Sequence, residues 1–198
     1  FWAFTFWDFT TTANTSSPQP CNYAWASYDF MYEGYGTSLL DAHTYIHETG
    51  HVLGLDDYYN YDSTGSGFGP AGQIDMMDYN ITDHNTFSKM ALGWTKPYIV
   101  TGNAEITINP SQSSGDCILI PRVGKTYAGH PFDEYILLEL YTPTGLNQSD
   151  ATSAYAGSYP LAYTVPGVKL FHLDARLVNN TYSSSTGKLT AGAYTSNL

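Results

Sequence analysis

Basic residues are scarce in this 198-residue chain, as are cysteines and long hydrophobic runs. Lysine and arginine total 7 against 18 aspartates and glutamates, a formal net charge of −11. Because nucleic-acid binding needs a basic surface, this balance argues against a nucleic-acid partner. No run of about 18 apolar residues occurs, so the sequence predicts no membrane span.

The two cysteines, Cys21 and Cys117, are too few and too far apart for a zinc knuckle. Two states stay open for them: one disulfide that closes a long loop in an oxidising compartment, or two free thiols. Tyrosine is the commonest aromatic residue, with 18 copies, whereas lysine is rare. This composition favours a secreted or extracellular protein, including one associated with the cell surface.

The pattern along the chain predicts an α+β protein of one domain, or one domain with a small annex. Residues 1–9 and 22–32 are strand-like, because aromatic and small residues dominate them. Helical periodicity runs from about Ser38 to Leu53, and a second helix is predicted over 83–92. Residues 142–167 are predicted to be a loop. Later β-type runs are Tyr98–Thr101, Ala104–Ile108, Cys117–Val123, Glu134–Tyr141 and Val168–Asp174.

The first predicted helix carries the residues of a zinc site. His47 and His51 are four residues apart, so both imidazoles project from one helix face and can bind one Zn²⁺. Glu48 follows the first histidine and points beside the metal, where it can hold the metal-bound water. A catalytic zinc needs a third protein ligand and an open position. Gly54 allows a sharp turn out of the helix, after which Asp57 can reach the same ion.

Two other interpretations of this stretch are weaker. A different zinc architecture takes its third ligand from a glutamate on a second helix, but the next glutamate after Glu48 is Glu105, within a strand-like run. A helix with two surface histidines and an acidic turn is the non-functional alternative. A bare His-Glu-x-x-His motif occurs by chance in some proteins. A chance match is much rarer when a glycine and an aspartate also follow at fixed offsets, as Gly54 and Asp57 do here.

This spacing resembles that of the metzincin zinc peptidases whose third ligand is aspartate. The flanks at 54–59 (Gly-Leu-Asp-Asp-Tyr-Tyr) and 75–80 (Asp-Met-Met-Asp-Tyr-Asn) resemble the secreted immune inhibitor A-type metallopeptidases of bacteria. The resemblance implies a catalytic region at 1–97, with a mixed sheet, a zinc-site helix and a Met-turn. A β-rich region would follow at 98–198. Metzincins have several strands before the zinc helix, so we expect this region to lack upstream strands.

The resemblance also implies further site residues. Met77 is expected under the zinc site in the Met-turn, with Met76 as the second choice, although either residue could simply fill the core. Tyr79 has two possible roles, transition-state support or packing. Apart from the resemblance, His84 near the start of the second predicted helix could line the site or hydrogen-bond a metal ligand from the second coordination shell. His43 lies one turn before the first zinc histidine and is expected to pack or to face solvent.

The implied function is a secreted zinc-dependent endopeptidase that acts on protein or peptide substrates. Glu48 would activate the zinc-bound water as general base and then protonate the leaving amine. The substrate would dock as an added strand along 22–32. Alternatives are a β-rich adhesin or glycan-binding module with a non-catalytic zinc, and a zinc hydrolase of non-peptide amides. A structural calcium ion could also bind the acidic residues Asp56, Asp62, Asp75, Asp78 and Asp83.

Overall fold

The computed structural model is an α+β protein with a mixed sheet and few helices, which confirms the predicted class at this coarse level. The chain forms two compact units, 1–84 with 143–164 and 85–142 with 165–198. The predicted boundary between a catalytic region at 1–97 and a β-rich region at 98–198 stays a prediction. The structure describes residues 2–7, 22–32, 42–59, 69–79, 83–152, 161–178, 181–183, 185, 188–190 and 193–194.

The first unit contains a two-stranded antiparallel sheet of β1 (Phe4–Trp7) and β2 (Asn22–Trp25). Phe4 lies opposite Trp25, and Thr5 lies opposite Ala24. Because side chains alternate between the faces of a strand, one face carries the aromatic pairs and the other carries Thr5. Helix α1 contacts both strands, so this second face lies next to the helix.

The predicted strand at 22–32 is wrong beyond Trp25. Residues Tyr28–Tyr32 form a 3₁₀-helix instead. The carbonyl of Ser27 accepts from the N–H of Phe30, and the Ser27 hydroxyl lies 3.4 Å from the N–H of Asp29. Such local serine contacts offer the backbone an alternative to the sheet ladder, which explains why the strand ends early.

Helix α1 spans His43–Val52. The predicted helix start at Ser38 lies outside the described residues. Ala42 occupies the N-cap position without a side-chain cap. The first unit also contains a 3₁₀-helix at Gly145–Asn147 and α4 at Gln148–Thr152, within the segment that was predicted to be loop.

The second unit is built on a four-stranded mixed sheet in the order β3-β4-β5-β6. Strands β3 and β4 are parallel, and the other neighbours are antiparallel. Alternate residues of β5 are buried, as expected for a strand with one face on the core. The strands are β3 (Tyr98–Ile99), β4 (Cys117–Pro121), β5 (Glu134–Tyr141) and β6 (Gly167–Asp174).

Helix α2 (Thr86–Ala91) starts later than predicted because Asn85 caps it. The Asn85 side chain accepts from the N–H of Ser88 at 3.0 Å. The buried carboxylate of Glu139 accepts from the N–H of Thr86 at 2.8 Å, so a residue of β5 satisfies a second donor of the helix start. Burial of Glu139 is therefore explained by helix capping.

The remaining elements are short. Residues 104–108 form no strand in the described part of the chain, contrary to prediction. No helix among the described residues is long and apolar enough to cross a membrane. The short elements are α3 (Ser111–Ser114), β7 (Leu177–Val178), β8 (Thr181–Ser183), β9 (Lys188–Thr190) and β10 (Ala193–Tyr194).

Candidate metal centre

Helix α1 buries a polar face, the reverse of an ordinary amphipathic helix. Its apolar residue Ile46 is 43% exposed. Because buried polar side chains cost free energy unless they find partners, their burial here indicates a site rather than a packed core. The buried residues of the helix are His43, Thr44, His47, Glu48 and Gly50.

Three donor atoms from His47, His51 and Asp57 converge beside this face. The Nε2 atom of His47 lies 2.9 Å from Oδ1 of Asp57 and 3.1 Å from Nε2 of His51. The Nε2 atom of His51 lies 3.2 Å from the same Oδ1. In a tetrahedral site with bonds of about 2.0–2.1 Å, ligand atoms lie about 3.3–3.4 Å apart. The three residues could therefore hold a metal ion with only small adjustments.

The hydrogen bonds of the two histidines fix which nitrogen faces the centre. Nδ1 of His47 lies 2.9 Å from the Met76 carbonyl, and Nδ1 of His51 lies 2.9 Å from the Leu55 carbonyl. A carbonyl only accepts, so each Nδ1 donates and each neutral ring presents the Nε2 lone pair to the other ring. Two lone pairs and a carboxylate at such short range repel one another, and a bound cation would remove that repulsion.

The site also favours positive charge when no metal is bound. Burial lowers the pKa of His51, but the Asp57 carboxylate and the Leu55 carbonyl outweigh burial. The carboxylates of Asp57 and Glu48 act on the ring through their charge as well. The pKa of His51 therefore lies above its ordinary value. A proton or a metal ion would satisfy the same electrostatic demand.

Asp57 reaches the histidines because the chain reverses at Gly54. This glycine has a φ of +98°, in the region that favours glycine. Its N–H donates to the carbonyl of His51, and the N–H of Leu55 donates to the carbonyl of Gly50. These bonds satisfy the last carbonyls of α1 while the chain turns back toward the metal centre.

The predicted Met-turn residues lie against the helix. Met77 is fully buried and packs on Gly50, in the middle of α1. The N–H of Met77 donates to the carboxylate of Asp75 at 2.9 Å, which holds the turn. The preceding carbonyl, that of Met76, orients His47. The two methionines thus contact the site differently: Met77 through its side chain and Met76 through its backbone.

Glu48 is buried but stands apart from the metal-holding group. Its Oε2 atom accepts from the hydroxyl of Thr5 at 2.9 Å. The chemistry of a buried carboxylate beside a candidate metal group, but not a member of it, is that of a group that could accept a proton.

Tyr79 and the remaining histidines surround the centre at greater distance. Tyr79 stacks on Tyr59 with ring centroids 5.3 Å apart, and Tyr59 stacks on His47 at 6.3 Å. This stack supports a packing role for Tyr79, and its catalytic role stays a prediction. The ring of His43 lies 5.7 Å from that of His47. His84 does not belong to the ligand group within the described residues, so its predicted contact with a ligand stays a prediction.

The acidic residues near the motif do not form a second metal group in the described ranges. Asp75 and Asp78 are buried, whereas Asp62 lies outside those ranges. Burial raises the pKa of Asp78 to about 6. The N–H of Gln73 donates a hydrogen bond to the Asp78 carboxylate and has the smaller, opposite effect of lowering this pKa. The predicted calcium site stays a prediction.

Sequence reasoning missed the contribution of β1 to this site. Thr5 bonds Glu48, and the ring of Trp7 meets that of His51 edge-on at 6.5 Å. The alternation of a threonine among aromatic residues was the available signal, but it predicted only that residues 1–9 are strand-like. Nothing in the sequence indicated that the ring of Tyr59 stacks on that of His47.

No protein-family model matches the chain, and neither a curated protein nor a solved structure matches it. Together, fold and site define an α+β protein in which two histidines and an aspartate could hold a metal ion.

Proposed function

We propose that this chain is a secreted zinc-dependent endopeptidase with a metzincin-like catalytic region at 1–97 and a β-rich continuation at 98–198. One observation carries the proposal: Glu48, a buried carboxylate outside the ligand group, lies on the same buried helix face as His47. A purely structural metal site needs ligands but has no use for a separate carboxylate beside them. A hydrolase needs both.

Zinc suits the donor set better than other common ions. Imidazole and carboxylate are ordinary zinc ligands, and three protein ligands leave one position for water or substrate. Both Nδ1–H groups bond to carbonyls, an outer shell typical of zinc histidines. When bound, zinc would lower the pKa of a water and polarise the scissile carbonyl.

Residues of the chain would then complete the reaction. Glu48 would accept a proton from the attacking water and return it to the nitrogen of the leaving amine. The carbonyls of Met76 and Leu55 would keep both imidazoles oriented. Asp57 would supply the third ligand and part of the negative charge that retains the ion.

The substrate would be an extended peptide that pairs with the edge of β2. In the described part of the chain, β2 pairs only with β1, so its other edge can accept a strand. A cavity of about 300 Å³ lies between this strand and α1, next to the proposed base. The lining residues are Ala24, Trp25, Ala26, Tyr45, Glu48 and Thr49.

The alternative is a β-rich adhesin or glycan-binding module with a non-catalytic zinc. The exposed aromatic rings of β1 and β2 favour a binding surface, since Phe4 and Trp25 stack at 5.8 Å and are both partly exposed. Structural zinc is normally closed by four protein ligands. Within the described residues the group contains three, which favours the enzyme.

The deciding experiment compares zinc binding with hydrolysis of an unfolded protein. Glu48→Gln removes the proton acceptor but keeps the shape, so cleavage should fall by at least about 10²-fold while zinc binding is retained. Asp57→Ala should instead weaken zinc binding because it removes a ligand. Glu105→Gln makes the same chemical change at an exposed position and serves as the control.

Each outcome separates the two candidates. An endopeptidase loses cleavage in Glu48→Gln and keeps it in Glu105→Gln. A binding module retains zinc in the unsubstituted chain and cleaves no peptide bond. Near-full cleavage by Glu48→Gln would refute the role of Glu48, and full zinc occupancy in a His47→Ala, His51→Ala double variant would refute the metal site.

A further inference from the structure

Thr5 joins the first strand to the proposed base through one hydroxyl group. Its Oγ1 atom lies 2.8 Å from the backbone carbonyl of Glu48 and 2.9 Å from the Oε2 atom of the same residue. These two residues are 43 positions apart in the chain. The contact is therefore made by the tertiary fold, between β1 and α1.

The position of Thr5 is fixed from two sides. Its backbone lies in the β1–β2 pairing, opposite Ala24. Its β-branched side chain has few rotamers, so the strand largely dictates where the hydroxyl points. Glutamate has more rotatable bonds and loses more side-chain entropy when it is held in one geometry. A stiff partner is thus well suited to hold a flexible carboxylate.

We propose that Thr5 is a positioning residue that holds the Glu48 carboxylate in its working orientation. This inference rests on the proposed peptidase function. A hydroxyl can donate to a carboxylate and accept from a carboxylic acid, so the contact can persist in both protonation states of the base. The proton passes from water to Glu48 and then to the leaving amine, while Thr5 gains and loses none.

A purely structural role for Thr5 makes different predictions. If the hydroxyl only fastened β1 to α1 through the carbonyl of Glu48, its loss would lower stability without a specific effect on turnover. A positioning role predicts a fall in kcat at unchanged KM, since Thr5 orients the base and does not hold the substrate. Zinc affinity should stay the same because the Thr5 hydroxyl hydrogen-bonds to Glu48 and not to any of the three residues of the candidate metal group.

The kinetic test compares Thr5→Val, which keeps the shape and loses the hydroxyl, with Thr5→Ser, which keeps the hydroxyl. Misplacement of a reacting group by about 1 Å can cost about 10²-fold in rate, so Thr5→Val should lower kcat by at least about 10-fold. Thr5→Ser should stay close to the unsubstituted chain. Thr152→Val removes an exposed hydroxyl elsewhere in the same unit and should leave kcat unchanged.

A second readout needs neither metal nor activity. The chain has five glutamates, so carbon-13 labelling of glutamate side chains gives five carboxyl NMR signals, and Glu48→Gln assigns one by its disappearance. In the metal-free protein, Thr5→Val should move the Glu48 signal and leave the other four in place. Four unchanged signals also show that the variant is folded.

The outcomes distinguish this inference from the proposed function. An unsubstituted chain that binds zinc and cleaves nothing overturns the proposed function. If that chain cleaves and Thr5→Val cleaves equally fast, only the role of Thr5 is overturned. An unmoved Glu48 signal, or a Thr5→Ser variant as slow as Thr5→Val, overturns it too. A slow Thr5→Val with a moved signal and rescue by serine supports it.

Discussion

Gly50 and Met77 are in direct contact, because a Cβ atom added to Gly50 would lie only 2.5 Å from the Sδ atom of Met77. Any side chain at position 50 would therefore collide with a residue that is fully buried. The contact holds the middle of α1, between His47 and His51, against the turn whose Met76 carbonyl bonds His47. A glycine here serves close packing, since its φ lies outside the left-handed region.

Gly50→Ala should consequently destabilise the protein. Alanine gains about 1 kcal/mol of helix propensity over glycine, whereas overpacking a core costs about 1–3 kcal/mol. We expect a net loss of about 1 kcal/mol, measured by urea unfolding. In a Met77→Ala background the collision is gone, so the same change should become neutral or stabilising. An equal loss in both backgrounds would show that the contact with Met77 is not the cause.

The convergence of His47, His51 and Asp57, which could hold a metal ion, was predictable because the three residues lie within one eleven-residue stretch of the sequence. Helix periodicity places His47 and His51 on one face, and a glycine after the helix permits the reversal to Asp57. These are local rules that one sequence can reveal. The assignment of Met77 depended on the resemblance, since a methionine pair by itself is equally suited to a core.

Features that depend on tertiary contacts were missed. Nothing in the strand that contains Thr5 indicates that its hydroxyl meets a carboxylate 43 residues away. The strand at 22–32 was predicted from aromatic propensity, but strand propensity depends strongly on context, and local bonds at Ser27 end it at Trp25. The α+β class could be predicted from the sequence, whereas the parallel pairing of β3 with β4 could not.

Asp78 should make the stability of the metal-free protein depend on pH. Its pKa is about 6 in the folded state, raised chiefly by burial, against an ordinary value of 3.8. The folded state thus binds this proton more tightly than the unfolded state, so the contribution of Asp78 to stability is largest below about pH 4. That contribution declines as the pH rises through about 6 and is constant once the pH is well above this value.

Asp78→Asn isolates this contribution, because the amide cannot ionise. Urea unfolding of the metal-free protein at several pH values between 4 and 7 should show the variant gaining stability relative to the unsubstituted chain as the pH rises. The difference should change most between about pH 4 and 6 and level off at pH values above about 6. A difference that does not change with pH would mean that the buried carboxyl has an ordinary pKa.

Cys117 is a free and fully buried thiol, whereas Cys21 lies outside the described residues. Burial raises the pKa of Cys117 to about 12, and the nearby carboxylate of Glu139 adds to this. Because the thiolate is the reactive form, the native thiol should react very slowly with a disulfide reagent at pH 8. In Cys21→Ser we expect no reaction in native buffer and one thiol per chain in urea.

The same measurement on the unsubstituted chain tests the possible bridge between the two cysteines. Two thiols per chain in urea, without reductant, agree with a free Cys117. If no reactive thiol is detected in urea, Cys21 and Cys117 are bridged, which would contradict the free state of Cys117 in the structure. A fast native reaction of Cys21→Ser would contradict the burial of Cys117.

Trp7 should report metal binding without any assay of activity. Its indole ring meets the imidazole of His51 edge-on, with centroids 6.5 Å apart, so an ion held by the three ligands would lie close to it. Co²⁺ binds to imidazole and carboxylate ligands and is paramagnetic, whereas Zn²⁺ has a filled d shell. Titration with Co²⁺ should therefore quench tryptophan emission at saturating ion, and Zn²⁺ should quench it far less while competing for the same site.

Substitution identifies the tryptophan responsible. The chain has four tryptophans, and Trp2, which precedes β1, is 84% exposed, which makes Trp2→Phe the matched control. Most of the quenching should disappear in Trp7→Phe and persist in Trp2→Phe. Asp57→Ala should shift the Co²⁺ titration to higher concentration because the ion then has only two of its three ligands. Quenching that survives in Trp7→Phe at the same ion concentration would place the bound ion elsewhere in the chain.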